Sequence, residues 1–232
     1  MINVYCLHGL LGLPNDWEFL NSHFKGIHFH FVDIYKNFDP SKGIKEFSQA
    51  FNSSVKAGDT NLLIGYSMGG RLGLNALIDQ PDLWSKAVFI STHPGLEREE
   101  ARQSRILQDG IWAMRFLTEK WETLIEKWNQ QSVFAYSVQM EKNEMLFNRD
   151  LLADALTHWG LGQQENLRRH LKLLPLPIYW ISGANDQKFC RLGKSLYFQH
   201  STSKILEIEQ AGHRVPWDNQ QAFVNIVKRF LL

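Results

Sequence analysis

The chain has 232 residues, 44% of them apolar and 21% charged, with a formal net charge of +1. That length allows one domain with a large core, and the near-neutral balance argues against nucleic acid or an anionic membrane surface as a partner. No apolar run approaches the roughly 18 residues a membrane span needs.

The first residues, Met1 to Cys6, read as a strand and lack the basic segment and small-residue cleavage site of a signal peptide. Cys6 and Cys190, the only two cysteines, suggest neither a disulfide framework nor a zinc site. Buried free thiols suit a reducing compartment, so the expectation is a soluble, cytoplasmic protein. Strand Ile2–Leu7 runs into His8-Gly9-Leu10-Leu11-Gly12. Asn15 or Asp16 can cap a helix through about Phe24, with Trp17, Leu20 and Phe24 on one face. Ile27–Val32 alternates apolar residues with His28 and His30 and reads as a strand ending at Asp33. Ile44, Phe47, Phe51 and Val55 form a helical stripe.

Asn61–Tyr66 is a buried-looking strand that ends in Gly65-Tyr66-Ser67-Met68-Gly69, followed by a helix to Gln80 that Pro81 stops. This is G-x-S-x-G in its strand-then-helix setting, the nucleophile elbow. Glycines at 65 and 69 let the chain turn sharply and leave Ser67 strained and exposed above a sheet. Ala87–Ser91 is the next strand. From Glu97 to about Leu171 helical periodicity dominates, and Trp112, Trp121, Trp128 and Trp159 fall there. The spacing predicts a helical cap over 97–171, inserted in a core formed by 1–96 and 172–232. Strand–helix alternation then returns with Pro177–Ser182, a helix from about Phe189, strand Lys204–Ile208, and a last helix Gln220–Leu231. Such alternation implies a mostly parallel sheet of about six strands flanked by helices. Reactive loops of such sheets gather at the carboxyl ends of the strands, where His8, Ser67, Asp186 and His213 all fall.

A serine hydroxyl needs an imidazole to take its proton, and a carboxylate to orient that imidazole. Ser67, Asp186 and His213 stand in the Ser…Asp…His order of the α/β-hydrolase fold. The loop at His8-Gly9-Leu10 should offer the Leu10 backbone N–H, which with that of Met68 would form an oxyanion hole. Each such donor is typically worth about 3–4 kcal/mol in the transition state. Arg71 lies four residues beyond Ser67 and can lean over the elbow. Arg98, Arg102 and Arg105 recur on one helical face; they serve either as a solvated face paired with Glu99 and Glu100, or as forks for an anionic substrate. His93 starts a turn, Asp33 either lines the site from the end of its strand or caps a loop, with the cap the favoured reading, and the remaining histidines lack metal-ligand spacing.

The cap is the specific part. His93-Pro94-Gly95-Leu96, Glu100–Arg105 with Asp109, Trp112–Phe116, Trp128–Phe134 and Gly183–Phe189 resemble the 2-succinyl-6-hydroxy-2,4-cyclohexadiene-1-carboxylate synthases of menaquinone biosynthesis. The likeness runs from His8 to the final helix. It implies an α/β-hydrolase fold used as a lyase that needs no cofactor. Ser67, activated by His213 with Asp186 orienting it, would remove a ring proton from a small polycarboxylate bearing an enolpyruvyl ether, and pyruvate would leave. The resemblance carries substrate binding onto Tyr66, Arg71, Arg105, Trp128 and Arg149. Asn129 and Ser132 depart from the Tyr and Pro of the pattern, and Met68 replaces Leu. The first two strands of the superfamily are missing, so a sheet shortened at one edge is expected. The competing reading is a carboxylesterase or thioesterase forming an acyl-enzyme on Ser67.

Overall fold

The computed structural model describes residues 2–231; Met1, part of the strand reading above, and Leu232 lie outside them. Six strands form one sheet in the order β2-β1-β3-β4-β5-β6, every neighbouring pair parallel. They are β1 (Ile2–Leu7), β2 (Ile27–Val32), β3 (Thr60–Tyr66), β4 (Lys86–Ile90), β5 (Ile178–Gly183) and β6 (Lys204–Ile208). The helices are α1 (Ile44–Ser54), α2 (Ser67–Asp79), α3 (Glu99–Thr118), α4 (Trp121–Asn129), α5 (Arg149–His158), α6 (Arg168–Leu173), α7 (Gln187–Lys194), α8 (Val215–Asp218) and α9 (Gln220–Leu231).

Side chains on a strand alternate between the two faces of the sheet, and each face here has its own core. Tyr5, Leu7, Leu63, Phe89 and Trp180 face one way, against Phe47 and Phe51 of α1 and Leu72 and Leu77 of α2. Val4, Cys6, Leu62, Ile64, Val88 and Ile181 face the other way, against Trp17, Leu20 and the Phe223, Val227 and Phe230 stripe of α9. The segment expected to be an α-helix over 15–24 is a 3-10 helix, Pro14–Ser22. Proline supplies no N–H at the start of that helix, and Trp17 and Leu20 still reach the core.

Between β4 and β5 the described residues form no strand. Helices α3, α4 and α5 build a third apolar cluster from Ala113, Phe116, Trp121, Leu124, Ile125, Leu152 and Leu156, into which Leu11 projects from the loop after β1. Helix α6 packs differently, with Leu167, Leu171 and Leu174 joining the core beneath the sheet. The helices of 99–158 therefore sit over the carboxyl ends of the strands, where the loops after β1, β3, β4, β5 and β6 converge. No described helix is long and apolar enough to cross a membrane.

Candidate active site

Ser67 follows β3 directly and has φ of +52°, in the left-handed region that side chains with a Cβ rarely adopt. Such strain costs on the order of 1–3 kcal/mol and persists only where the surroundings enforce it. Gly65 and Gly69 enforce it by lacking a side chain, since neither has a positive φ. A Cβ on Gly65 would press on the Gly70 backbone, and one on Gly69 would collide with the carbonyls of Leu7 and His8. Glycine is used here for room rather than for conformational freedom. The tight packing pushes the first turn of α2 up against the loop after β1.

Two further loops converge on Ser67. Asp186, capping α7, accepts from the Phe189 N–H through Oδ1 (3.2 Å) and from His213 Nδ1 through Oδ2 (2.8 Å). The other imidazole nitrogen of His213, Nε2, stands 3.3 Å from Ser67 Oγ. Asp186 and His213 are both buried. Ser91, after β4, donates its hydroxyl to the His213 carbonyl (2.7 Å) and fixes that loop. His8 is fully buried and acts as scaffold: Nδ1 donates to the Gly9 carbonyl (2.9 Å) and Nε2 accepts from the Ile34 N–H (3.3 Å). Burial pushes its pKa down, which suits this neutral tautomer.

Ser67 lies where two cavities meet, with Leu10, Trp128 and Phe134 also lining both. The smaller, about 50 Å³, is walled by Tyr66, Trp217, Asn129 and Arg214. The larger, about 360 Å³, holds Met68, Arg71, Arg105, Asp109, His93, Lys188 and Phe189. Met68 is the second residue of α2, where helical amides have no partner within the helix. Arg71 is buried, and its guanidinium makes one hydrogen bond among the described residues, 3.4 Å to Gln164 Oε1. Burial and the nearby Arg105 push its pKa down. Arginine stays charged in proteins, so the shift measures how much an anion beside it would be welcomed. Arg105 Nε lies 2.9 Å from both oxygens of Asp109, and among the described residues its terminal nitrogens make no hydrogen bond.

The other expected contributors divide. Tyr66 packs between His213 and Trp217, and Trp128 meets Trp112 edge to face at 4.9 Å. Arg102 turns to Glu99 and the Gly162 carbonyl, and Arg98 precedes α3. Asp33 caps its loop through the Tyr35 and Lys36 amides. Arg149, onto which the resemblance carries substrate binding, lines neither cavity. It donates to the Phe116 and Glu119 carbonyls at the end of α3, pairs with Glu144 and lies over the Trp121 ring. Orphan carbonyls at a helix end attract such a cation, and this one is taken. His93 and Lys188 line the larger cavity without having been singled out for it. The sequence signals for Lys188 were its position two residues beyond Asp186 and its place in the Gly183–Phe189 stretch that carries the resemblance.

No family model matches the chain. Over its full length the chain is 30% identical to a Haemophilus influenzae protein provisionally named 2-succinyl-6-hydroxy-2,4-cyclohexadiene-1-carboxylate synthase, 98% of which it covers. It is 29% identical, over 97% of its own length, to the 2-succinyl-6-hydroxy-2,4-cyclohexadiene-1-carboxylate synthase of Salmonella arizonae, covering 92% of that protein. The solved structure of MenH from S. aureus matches it with a TM-score of 0.88 at 21% identity, across 99% of this chain and 92% of that one. The parallel six-stranded sheet flanked by helices is an α/β-hydrolase fold, and by its relatives the chain belongs to the 2-succinyl-6-hydroxy-2,4-cyclohexadiene-1-carboxylate synthase family.

Proposed function

We propose that this chain is the lyase its relatives are named for. It would convert 2-succinyl-5-enolpyruvyl-6-hydroxy-3-cyclohexene-1-carboxylate into 2-succinyl-6-hydroxy-2,4-cyclohexadiene-1-carboxylate and pyruvate. The observation that carries the reading is a Ser-His-Asp relay opening into a cavity lined by Arg71 and Arg105. An esterase needs the relay; a polycarboxylate substrate also needs the cations.

In this mechanism His213 takes the Ser67 proton and the serine oxygen removes a proton from the ring. The electrons of that C–H bond form a ring double bond as the C–O bond to the enolpyruvyl group breaks; the pyruvate enolate that leaves takes up the proton held by His213 and becomes pyruvate, while Ser67 keeps the ring proton. Asp186 holds the imidazole in the tautomer that presents Nε2 to Ser67 and stabilises its charged form. The Leu10 and Met68 amides hold the charge that develops on a substrate oxygen. Tyr66 and Trp128 shape the cavity, and the helices of 99–158 serve as a cap that keeps water from the reacting atoms. Two buried free cysteines support a reducing, cytoplasmic setting.

The test supplies the enolpyruvyl precursor to purified protein and follows pyruvate. Release should be fast in the wild type and absent in Ser67→Ala. Unchanged release in Ser67→Ala would sink the mechanism. A stoichiometric acyl-enzyme with simple esters would favour the esterase instead.

A further inference from the structure

Lys188 stands in the first turn of α7, between the Asp186 that caps the helix and the Phe189 whose ring packs 4.6 Å from that of His213. Both neighbours are fixed to the catalytic group, so the Lys188 backbone is held relative to Ser67. Its side chain lines the larger cavity together with Arg71 and Arg105. Its ammonium makes no hydrogen bond and no ion pair among the described residues; it lies 5.8 Å from the Phe189 ring centroid and feels the charges of Arg105 and Asp186.

The charges around this cavity do not balance. Three cations, Arg71, Arg105 and Lys188, face a single carboxylate among the lining residues, Asp109, which Arg105 already engages. Asp186 is committed to His213. Desolvation and the charge of Arg105 both push the Lys188 pKa down, so the cations repel one another in a partly dry space. A surface lysine serving only solubility has no reason to sit there. The three cations come from three different elements, α2, α3 and α7.

We propose that Lys188 is a third anion-binding residue, holding one carboxylate of a polycarboxylate substrate whose others are held by Arg71 and Arg105. This rests on the reading of the substrate given above. That substrate bears three carboxylates, on the succinyl arm, the ring and the enolpyruvyl group, one for each cation. Lys188 is exposed, which places it at the rim, where it would hold the end of the substrate farthest from Ser67.

The test compares wild type, Lys188→Gln and Lys188→Arg in two assays. Kinetics of pyruvate release should show KM raised about tenfold or more in Lys188→Gln, with kcat within about twofold and most of the loss restored in Lys188→Arg. Calorimetric binding of propane-1,2,3-tricarboxylate should weaken about tenfold in Lys188→Gln and recover in Lys188→Arg. A KM and a tricarboxylate affinity both unchanged in Lys188→Gln overturn the proposal, as does a fall in kcat alone, which would make Lys188 a support for Asp186. A wild type that releases no pyruvate defeats the proposed reaction; the tricarboxylate assay then still decides Lys188, and a wild type that binds none of it defeats the anion site as well.

Discussion

Arg214 Nη2 donates to Asn129 Oδ1 across 2.6 Å, joining the residue after His213 to the last residue of α4. The same guanidinium donates to the Val138 carbonyl and lies over the Phe134 ring, 4.1 Å from its centroid. Asp218 completes the connection by accepting from Ser137 Oγ (2.8 Å), the Val138 N–H (2.8 Å) and the Gly212 N–H (2.9 Å). The segment that walls both cavities is thereby fastened to the loop that carries His213.

Arg214→Met keeps the bulk of the side chain and removes its charged donors. Hydrogen bonds to charged groups are worth about 1.5–3 kcal/mol each, so local opening of 129–140 should rise at least about tenfold. Hydrogen exchange at the Ser137 and Val138 amides reads this directly, and kcat/KM for pyruvate release should fall with it. Unchanged exchange would show that Asp218 alone holds the segment.

Much of this was readable beforehand, for a physical reason. Apolar runs buried on both faces mark central parallel strands; Ser67 directly follows one and Asp186 lies three residues past another, while His213 comes in the loop after the edge strand β6. Asn129 was readable only as a departure from the pattern. That its amide would serve Arg214, 85 residues away, depends on how two loops meet. The partners of Arg149 were hidden for the same reason. A cation at a helix start goes to whichever acceptors tertiary packing brings near, and here those are carbonyls more than 25 residues earlier in the chain. Lys188 and His93 show no periodicity because they sit in loops or first turns.

Glycine supplies a paired test of how tightly the elbow is packed. Gly69→Ala drives a methyl group into the Leu7 and His8 carbonyls, backbone atoms that cannot swing aside. It should cost about 3 kcal/mol or more and abolish activity, as overpacking a closed site does. Gly110→Ala, in the middle of α3 with nothing within 4 Å of the new methyl, should stabilise by about 1 kcal/mol and leave kcat/KM alone. Urea unfolding of both variants checks the signs. Equal effects would mean that propensity, not packing, governs both sites.

Arg71 should separate stability from activity. Its charge is buried with one long hydrogen bond, an arrangement that weakens the folded state unless an anion completes it. Arg71→Met should therefore leave the melting temperature unchanged or raise it, while kcat/KM falls about a hundredfold through loss of the carboxylate contact. A marked drop in melting temperature would instead make Arg71 a structural residue.

His93 should dominate the acid limb of stability. Its Nδ1 accepts from the Gly95 N–H at 3.1 Å, so the neutral ring carries its proton on Nε2. Burial, then the charges of Lys188, Arg168, Arg71 and Arg105, push its pKa down to about 3. In the unfolded chain a histidine binds a proton below about 6.5, whereas the folded His93 stays neutral down to about 3. Between those values the unfolded state holds the extra proton, so stability is complete above the unfolded pKa and falls as pH drops. The slope is about 1.4 kcal/mol per pH unit, or about 2 kcal/mol by pH 5. His8, also pushed down by burial, acts in the same direction. Asn at position 93 keeps an acceptor near the Gly95 amide but cannot titrate. Urea midpoints taken at pH 7 and pH 5 should therefore draw closer together in His93→Asn than in the wild type, by an amount worth about 2 kcal/mol. If the two proteins lose the same stability over that interval, His93 is not the group that charges on unfolding.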